Sequence, residues 1–270
     1  MDDSMIDALV AIVEEAGQAI MEVYAEDIDV DIKADNSPVT KADLAAHRVI
    51  ADALATLTPE IPLLSEESVP PDYATRRQWT KYWLIDPLDG TKEFINRNDE
   101  FTVNIALIEN NEPTVGFVGV PAQKVVYVGD CGRQLAQLRE GGEIKSLRGR
   151  KMLDANGVTI VASRSHGGER LEKYVEDLNT IYPTVSRTPV GSSLKLCILA
   201  RGEADLYPRL GLTSEWDIAA AHAVLVASGG GVWQINGEPI EYNKESFLNP
   251  EFIAVGDGSY PWSEKLPTVD

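Results

Sequence analysis

Cysteine is nearly absent: only Cys131 and Cys197 occur in 270 residues, and neither belongs to a metal-ligand or redox spacing. A disulfide-stapled scaffold is thereby excluded, and two structural thiols in a reducing cytoplasm are the expectation. No apolar run approaches the roughly 20 residues that a membrane-spanning helix needs. The opening Met1-Asp2-Asp3-Ser4-Met5-Ile6-Asp7 has neither the basic nor the apolar region of a signal peptide. Basic charge is also scarce, with 24 Lys and Arg against 43 Asp and Glu and a formal net charge of −19. That balance argues against binding nucleic-acid polymers or adhering to anionic lipid. There is no Gly-x-Ser-x-Gly, no Cys–His pairing and no phosphate-loop Gly-Lys-Ser, so no nucleophilic side chain has its usual setting. Internal repeats and low-complexity segments are missing too.

What is present describes an ordinary soluble α/β (α+β) chain, 44% hydrophobic and 25% charged. Apolar residues recur with a helical period over 5–24 (Ile6, Leu9, Val10, Val13, Ile20, Val23) and over 41–57 (Leu44, Ile50, Leu54, Leu57). Strand-like segments follow at 101–108, 114–120, 124–129 and 134–138, predicting an antiparallel meander backed by the two helices. The rhythm changes near residue 150. Strands at 158–162, 184–188, 204–207 and 231–235 then alternate with helices at 168–179, 192–201 and 216–227. Gly229-Gly230-Gly231 is expected to close the last helix. The division expected is an N-terminal α+β half over 1–153 and a C-terminal α/β half over 154–270, with 140–153 an unassigned loop.

Residues 83–91, Trp-Leu-Ile-Asp-Pro-Leu-Asp-Gly-Thr, are the most informative stretch. Trp83, Leu84 and Ile85 predict a buried strand that runs out at Asp86. Pro87 is expected to end the ladder and present Asp86 and Asp89 on a tight turn. Gly90 permits close backbone approach, and Thr91 adds a hydroxyl. Carboxylates, a bare glycine and a hydroxyl at a strand end suit a divalent metal holding a phosphate. Two weaker patterns join it: Leu63-Leu64-Ser65-Glu66-Glu67, and Glu215-Trp216-Asp217 ahead of an alanine-rich run. Asp43 follows Thr40 by three residues, and Asp217 follows Ser214 by three, so both also fit capping boxes.

Taken in order, these elements resemble the lithium-sensitive, magnesium-dependent phosphatases of the inositol monophosphatase superfamily. The resemblance covers nearly the whole chain. Its marks include Ala34-Asp35-Asn36-Ser37-Pro38-Val39-Thr40, Phe101-Thr102-Val103-Asn104-Ile105-Ala106 and Ser246-Phe247-Leu248-Asn249-Pro250. Within the superfamily, Lys92-Glu93-Phe94, Ser163-Arg164-Ser165-His166 and Gly191-Ser192-Ser193-Leu194-Lys195 are similar to its nucleotidase branch. The resemblance implies a layered αβαβα sandwich with the site where the two halves meet.

It also implies an Mg2+ phosphomonoesterase with two or three ions. Glu66, Asp86 and the Leu88 carbonyl would surround one ion, and Asp86, Asp89 and Asp217 another, with Glu67 near a third. Thr91 and Asp43 would activate the attacking water, Asp43 orienting the threonine hydroxyl that receives its proton. Substrate contacts are implied for Glu66, Leu88, Asp89, Gly90, Thr91, Ser163, Arg164, His166, Ser192, Lys195, Arg209 and Asp217. His47 and His222 are expected as packed side chains. The implied substrate is adenosine 3',5'-bisphosphate (PAP), a by-product of sulfate activation and sulfotransfer, with its sulfated relative PAPS as a second. An inositol or sugar monophosphatase and an inactive PAP- or magnesium-binding protein are the alternatives. A haloacid-dehalogenase mechanism is disfavoured because the two acids stand three apart and far from the N-terminus. Some members of the superfamily are peripheral on the inner face of the cell membrane, for which this charge balance offers no mechanism. Monomer and homodimer both remain open. Crowded carboxylates raise one another's pKa, so the metal is expected to raise thermal stability as well as activity.

Overall fold

The acidic first turns of this chain begin its helices. In the computed structural model, helix α1 (Asp3–Tyr24) starts where Asp2 accepts the Met5 amide at 2.8 Å, satisfying a donor that a helix start leaves open. The structure describes residues 1–26, 30–32, 38–153, 157–162 and 168–269, so Ser163, Arg164 and His166 lie outside the described residues. A short antiparallel pair, β1 (Val30–Ile32) and β2 (Pro38–Thr40), leads to helix α2 (Lys41–Leu57). Ala42, Ala46, Ile50 and Leu54 form the buried stripe of α2 at steps of four, whereas Leu44, expected in that stripe, falls off it and is 44% exposed.

Seven strands then line up in sequence order: β3 (Leu63–Ser65), β4 (Lys81–Asp89), β5 (Thr102–Glu109), β6 (Glu112–Val120), β7 (Val125–Asp130), β8 (Leu135–Glu140) and β9 (Glu143–Ser146). The first pair is parallel and the rest are antiparallel. Helix α3 (Tyr73–Arg76) connects β3 to β4, and α4 (Thr91–Ile95) follows β4. Alternation sorts the side chains. Trp83, Ile85 and Leu88 pack with α1 and α2, while Tyr82 and Leu84 pack on the opposite face.

Pro87 does not end its strand, contrary to expectation. β4 pairs at Asp86↔Asn104 and again at Asp89↔Thr102, leaving Pro87 and Leu88 opposite the single residue Val103. This is a β-bulge, and the proline's missing N–H falls where the ladder skips. The 140–153 stretch also gains structure. It supplies β9, after which Arg150 Nε bonds Asp205 Oδ1 at 2.6 Å and Lys151 Nζ bonds Asp257 Oδ1 at 2.9 Å.

The second sheet has the order β11 (Val185–Pro189), β10 (Val158–Ala162), β12 (Leu206–Arg209), β14 (Phe252–Val255), β13 (Gly231–Gln234). β10 runs parallel to β11 and β12, and β14 is antiparallel to β12 and β13. Helix α5 (Gly168–Ile181) packs Leu171, Tyr174 and Leu178 on its outer face with Ile160 and Leu206. Helices α6 (Leu194–Ala200) and α7 (Glu215–Ala227) fill the space between the sheets, in one cluster that joins Leu84, Ala106 and Tyr127 to Val161, Tyr207 and Ala254. The result is the layered αβαβα sandwich.

Helix α7 is buried from Ile218 through Leu225 because both its sides face protein. It lies unusually close to the first sheet. A Cβ on Gly116 would come 2.0 Å from the Ala220 oxygen, and one on Gly129 would come 2.4 Å from Val224 Cα. The helix ends at a Schellman motif. Gly229, with φ of +98°, bonds Val226 O, and Gly230 bonds Leu225 O, each at 3.0 Å. Among the described residues, no helix is long and apolar enough to cross a membrane.

Candidate active site

The bulge in β4 solves a problem of spacing. Residues three apart on a regular strand point to opposite faces, but one extra residue restores the phase. Asp86 and Asp89 therefore share a face with Asn104 and Thr102, their partners on β5. That face looks toward α6 and α7. Asp86 is 1% exposed, and its Oδ1 accepts the Leu88 amide at 3.1 Å. Glu66 follows β3, with its amide bonded to Ile85 O at 3.2 Å, so the Glu66 backbone lies beside the same strand end.

Asp217 comes from the first turn of α7. Its Oδ2 accepts the Ser214 amide at 2.9 Å in a capping box. The helix start is held by Glu215, which is fully buried and accepts Asn243 N at 2.8 Å, Lys244 N at 2.9 Å and Lys244 Nζ at 2.7 Å. Beside it, buried Arg76 donates to Asn243 Oδ1 and to the Lys244 and Glu245 carbonyls, with its guanidinium 4.2 Å from the Phe247 ring centroid. This clasp joins the α3 region to the start of α7.

Carboxylate oxygens of Glu66, Asp86 and Asp217 consequently lie within 4.8 Å of one another. Their mutual cost shows in the acid–base balance. Burial, then the charge of Glu66, raises Asp86 well above the ordinary aspartate range. Burial and Asp89 push Asp217 up to about 8. Asp89 rises to about 6 through burial, opposed by Lys195 and the Ser193 amide. Hard anionic oxygens gathered from three elements at that cost are a donor set suited to a small divalent cation. Asp89 itself accepts the Ser193 amide.

Asp43 has two tasks at once. Its Oδ2 accepts the Thr40 amide and hydroxyl at 2.8 and 2.7 Å, and its Oδ1 accepts the Thr91 hydroxyl at 3.4 Å. Burial is the main cause of its raised pKa. Gly90, with φ of +87°, opens α4 directly ahead of Thr91. Glu67 stands next to Glu66 and its amide bonds Ser65 Oγ at 3.2 Å.

A recess beside the acids is lined by Asp89, Gly90, Glu93, Ser192, Lys195, Tyr207, Arg209, Thr213 and Asp217. Lys195 Nζ donates to Ser192 O at 3.0 Å and lies 5.7 Å from the Tyr207 ring centroid. Arg209 donates to Gly211 O at 3.1 Å and Leu212 O at 2.7 Å, which shapes the turn before Thr213. Glu93, Tyr207 and Thr213 were not singled out by sequence. Glu93 had only its place in Lys92-Glu93-Phe94, and the other two carried no signal. His222 is buried with Nδ1 2.8 Å from Tyr242 Oη, and burial lowers its pKa to about 4. His47 Nδ1 lies 2.9 Å from Ser65 Oγ. Both histidines pack rather than join the acids.

The same arrangement of strands and helices occurs in known proteins. The chain is 50% identical over 251 residues to the 3'(2'),5'-bisphosphate nucleotidase CysQ of Escherichia coli O157:H7, covering 92% of this chain and 98% of that one. The crystal structure of CysQ from Bacteroides thetaiotaomicron, a bacterial member of the inositol monophosphatase family, superposes with a TM-score of 0.81 at 41% identity, over 93% of this chain and 97% of that one. An inositol monophosphatase from Anabaena (Nostoc) sp. PCC 7120 shares the fold, with a TM-score of 0.73 at 21% identity over 98% and 97% of the two chains. Since the family model matches residues 1–261, the chain that gathers these carboxylates belongs to the inositol monophosphatase family.

Proposed function

We propose that this chain is an Mg2+-dependent 3'(2'),5'-bisphosphate nucleotidase that converts PAP to AMP and phosphate, with PAPS as a second substrate. The observation that carries the reading is the convergence of Glu66, Asp86 and Asp217 within 4.8 Å, with Thr91 and Asp43 hydrogen-bonded beside them. The nucleotide preference is supported by half-identity to a relative of that name over 92% of the chain. Glu66, Asp86 and the Leu88 carbonyl would hold one ion. Asp86, Asp89 and Asp217 would hold a second, and Glu67 would stand near a third. When bound, the metal supplies Lewis-acid polarisation of the phosphoryl group and a more acidic water.

The protein's own groups supply the rest. Asp43, anchored by Thr40, orients the Thr91 hydroxyl. Thr91 Oγ1 takes the proton of the attacking water and passes its own to Asp43 Oδ1, whose raised pKa favours accepting it. Gly90 leaves room for the phosphate at the mouth of the bulge. Lys195, Arg209 and Ser192 offer cationic and hydroxyl contacts along the recess for the remaining phosphate and ribose. With a net charge of −19, the chain depends on bound cations to make this spot attractive to a polyanion. The two free thiols, Cys131 and Cys197, support placement in a reducing cytoplasm.

Phosphate release from PAP, measured beside inositol 1-phosphate and fructose 1,6-bisphosphate, tests the proposal. Each substrate is run with Mg2+, after chelation, and with added lithium. Mg2+-dependent preference for PAP is expected. Preference for a sugar phosphate would move the specificity while keeping the metal chemistry, and hydrolysis unaffected by chelation would overturn the mechanism.

A further inference from the structure

Behind the two acids of the bulge lies a buried ring of three neutral side chains. Thr102 and Asn104 on β5 stand across from Asp89 and Asp86, and Ser193 reaches them from the loop before α6. Asn104 Nδ2 donates to Thr102 Oγ1 at 3.3 Å, and the Ser193 hydroxyl donates to Asn104 Oδ1 at 2.8 Å. With its proton committed there, Ser193 Oγ accepts from Thr102 Oγ1 at 2.8 Å. The three bonds thus close a circle that runs in one sense. The members are 0%, 1% and 2% exposed, so little water can compete.

A closed ring in low dielectric polarises each bond through the next, and removing one member strands polar atoms of the others. Apolar residues of the same volume would pack the two halves together equally well. They would not fix the rotation of the loop, and that rotation aims the Ser193 amide at Asp89. The preceding Ser192 holds φ of +48°, a left-handed conformation that needs support from its surroundings. Glu100 Oε2, accepting Gly191 N at 2.8 Å, steadies the other end of the turn.

We propose that Thr102, Asn104 and Ser193 are positioning residues that orient the Asp89 carboxylate for metal binding by holding the Ser193 amide against it. The inference rests on the reading of Asp89 as a metal ligand. It assigns a role to three residues that carry no charge and have no place among the acids of the site.

The test is isothermal titration of Mg2+ into the metal-free protein, with thermal melting alongside. Thr102→Val keeps the volume and removes the hydroxyl, and Ser193→Ala opens the ring from the other side while keeping the backbone amide. Thr102→Ser preserves the ring, and Asp89→Asn is the reference. Both ring-breaking variants are expected to weaken Mg2+ binding by about tenfold, the usual effect of losing a group that orients a ligand. Thr102→Ser is expected to stay within about twofold of the parent, because the same bonds remain. Parent-like Mg2+ affinity in folded Thr102→Val or Ser193→Ala would overturn the inference, even if the melting temperature fell. Equal losses in Thr102→Ser and Thr102→Val would also overturn it. Should Thr102→Val fail to fold, Ser193→Ala decides alone. Undiminished binding by Asp89→Asn would refute the ligand reading itself, whereas loss there with normal binding in the ring variants would refute only the positioning role.

Discussion

Metal binding to this site should release protons, with a pH dependence to which Asp217 and Asp86 both contribute. The Asp217 carboxyl is raised to about 8 by burial and by Asp89. A carboxyl whose folded pKa lies above its unfolded value makes the native state bind more protons than the unfolded one. The metal-free protein therefore loses stability as pH rises from about 4 toward about 8, by an order of 4 kcal/mol at pH 7 for a shift of this size. A cation needs the ionised form and must displace the proton. For one group titrating at about 8, the dissociation constant falls about ninefold between pH 6 and 7, about fivefold from 7 to 8, and about twofold more by 9. Asp217 by itself releases close to one proton per cation at about pH 7, and Asp86, raised well above the ordinary aspartate range, adds to that release. Asp89, raised to about 6, steepens the limb below that pH. Isothermal titration of Mg2+ at several pH values, in buffers of low and high ionisation enthalpy, measures both quantities. A dissociation constant that stays within about twofold across this range, with heats independent of buffer, would refute the argument.

Three further outcomes follow from the same geometry. Mg2+ at about 100 times its dissociation constant should stabilise the protein by about 2.7 kcal/mol, raising Tm by roughly 5–10 °C in calorimetry against a chelated control. Glu215→Ala leaves the Asn243 and Lys244 amides without their acceptor at the start of α7, while Lys244 Nζ keeps Glu241 O and Asn249 Oδ1. It should cost about 2–3 kcal/mol in urea unfolding and weaken Mg2+ binding through Asp217. Gly129→Ala drives a methyl into the α7 backbone at Val224. It should cost about 3 kcal/mol or more, read from the urea midpoint, whereas alanine at exposed Gly141, with open space around it but a φ of +56°, should cost only local backbone strain, on the order of 1 kcal/mol.

Much of the site was legible because its residues announce themselves twice. Asp43 and Asp217 fit capping boxes by spacing alone, and in the structure each closes the capping box of its helix while also serving the site, Asp217 among the clustered acids and Asp43 through the Thr91 hydroxyl. Asp86 and Asp89 stood out through the glycine and threonine beside them. The bulge did not, since Pro87 reads as a terminator and only the register with β5 shows the strand resuming at Asp89. β9 escaped because all four of its residues are exposed, which leaves no alternation to detect. β14 escaped for the opposite reason, being buried throughout between β12 and β13. The Ser193 amide was invisible in principle, because a backbone donor carries no residue identity. Arg76 carries no signal in the sequence, and only the fold brings Asn243 and Phe247 around it.

The placement of α7 bears on how the chain comes off the ribosome. The first sheet is complete in sequence at Ser146, but the helix that covers its inner face begins at Glu215. At ordinary elongation rates the interval is roughly 4–14 s. Throughout it, Leu84, Ala106, Val118 and Tyr127 lack their covering helix, on the face that also bears Asp86. A growing chain with an uncovered apolar sheet face of this kind is a natural client for a chaperone at the exit tunnel, and its yield should depend more on translation speed after residue 146 than before it.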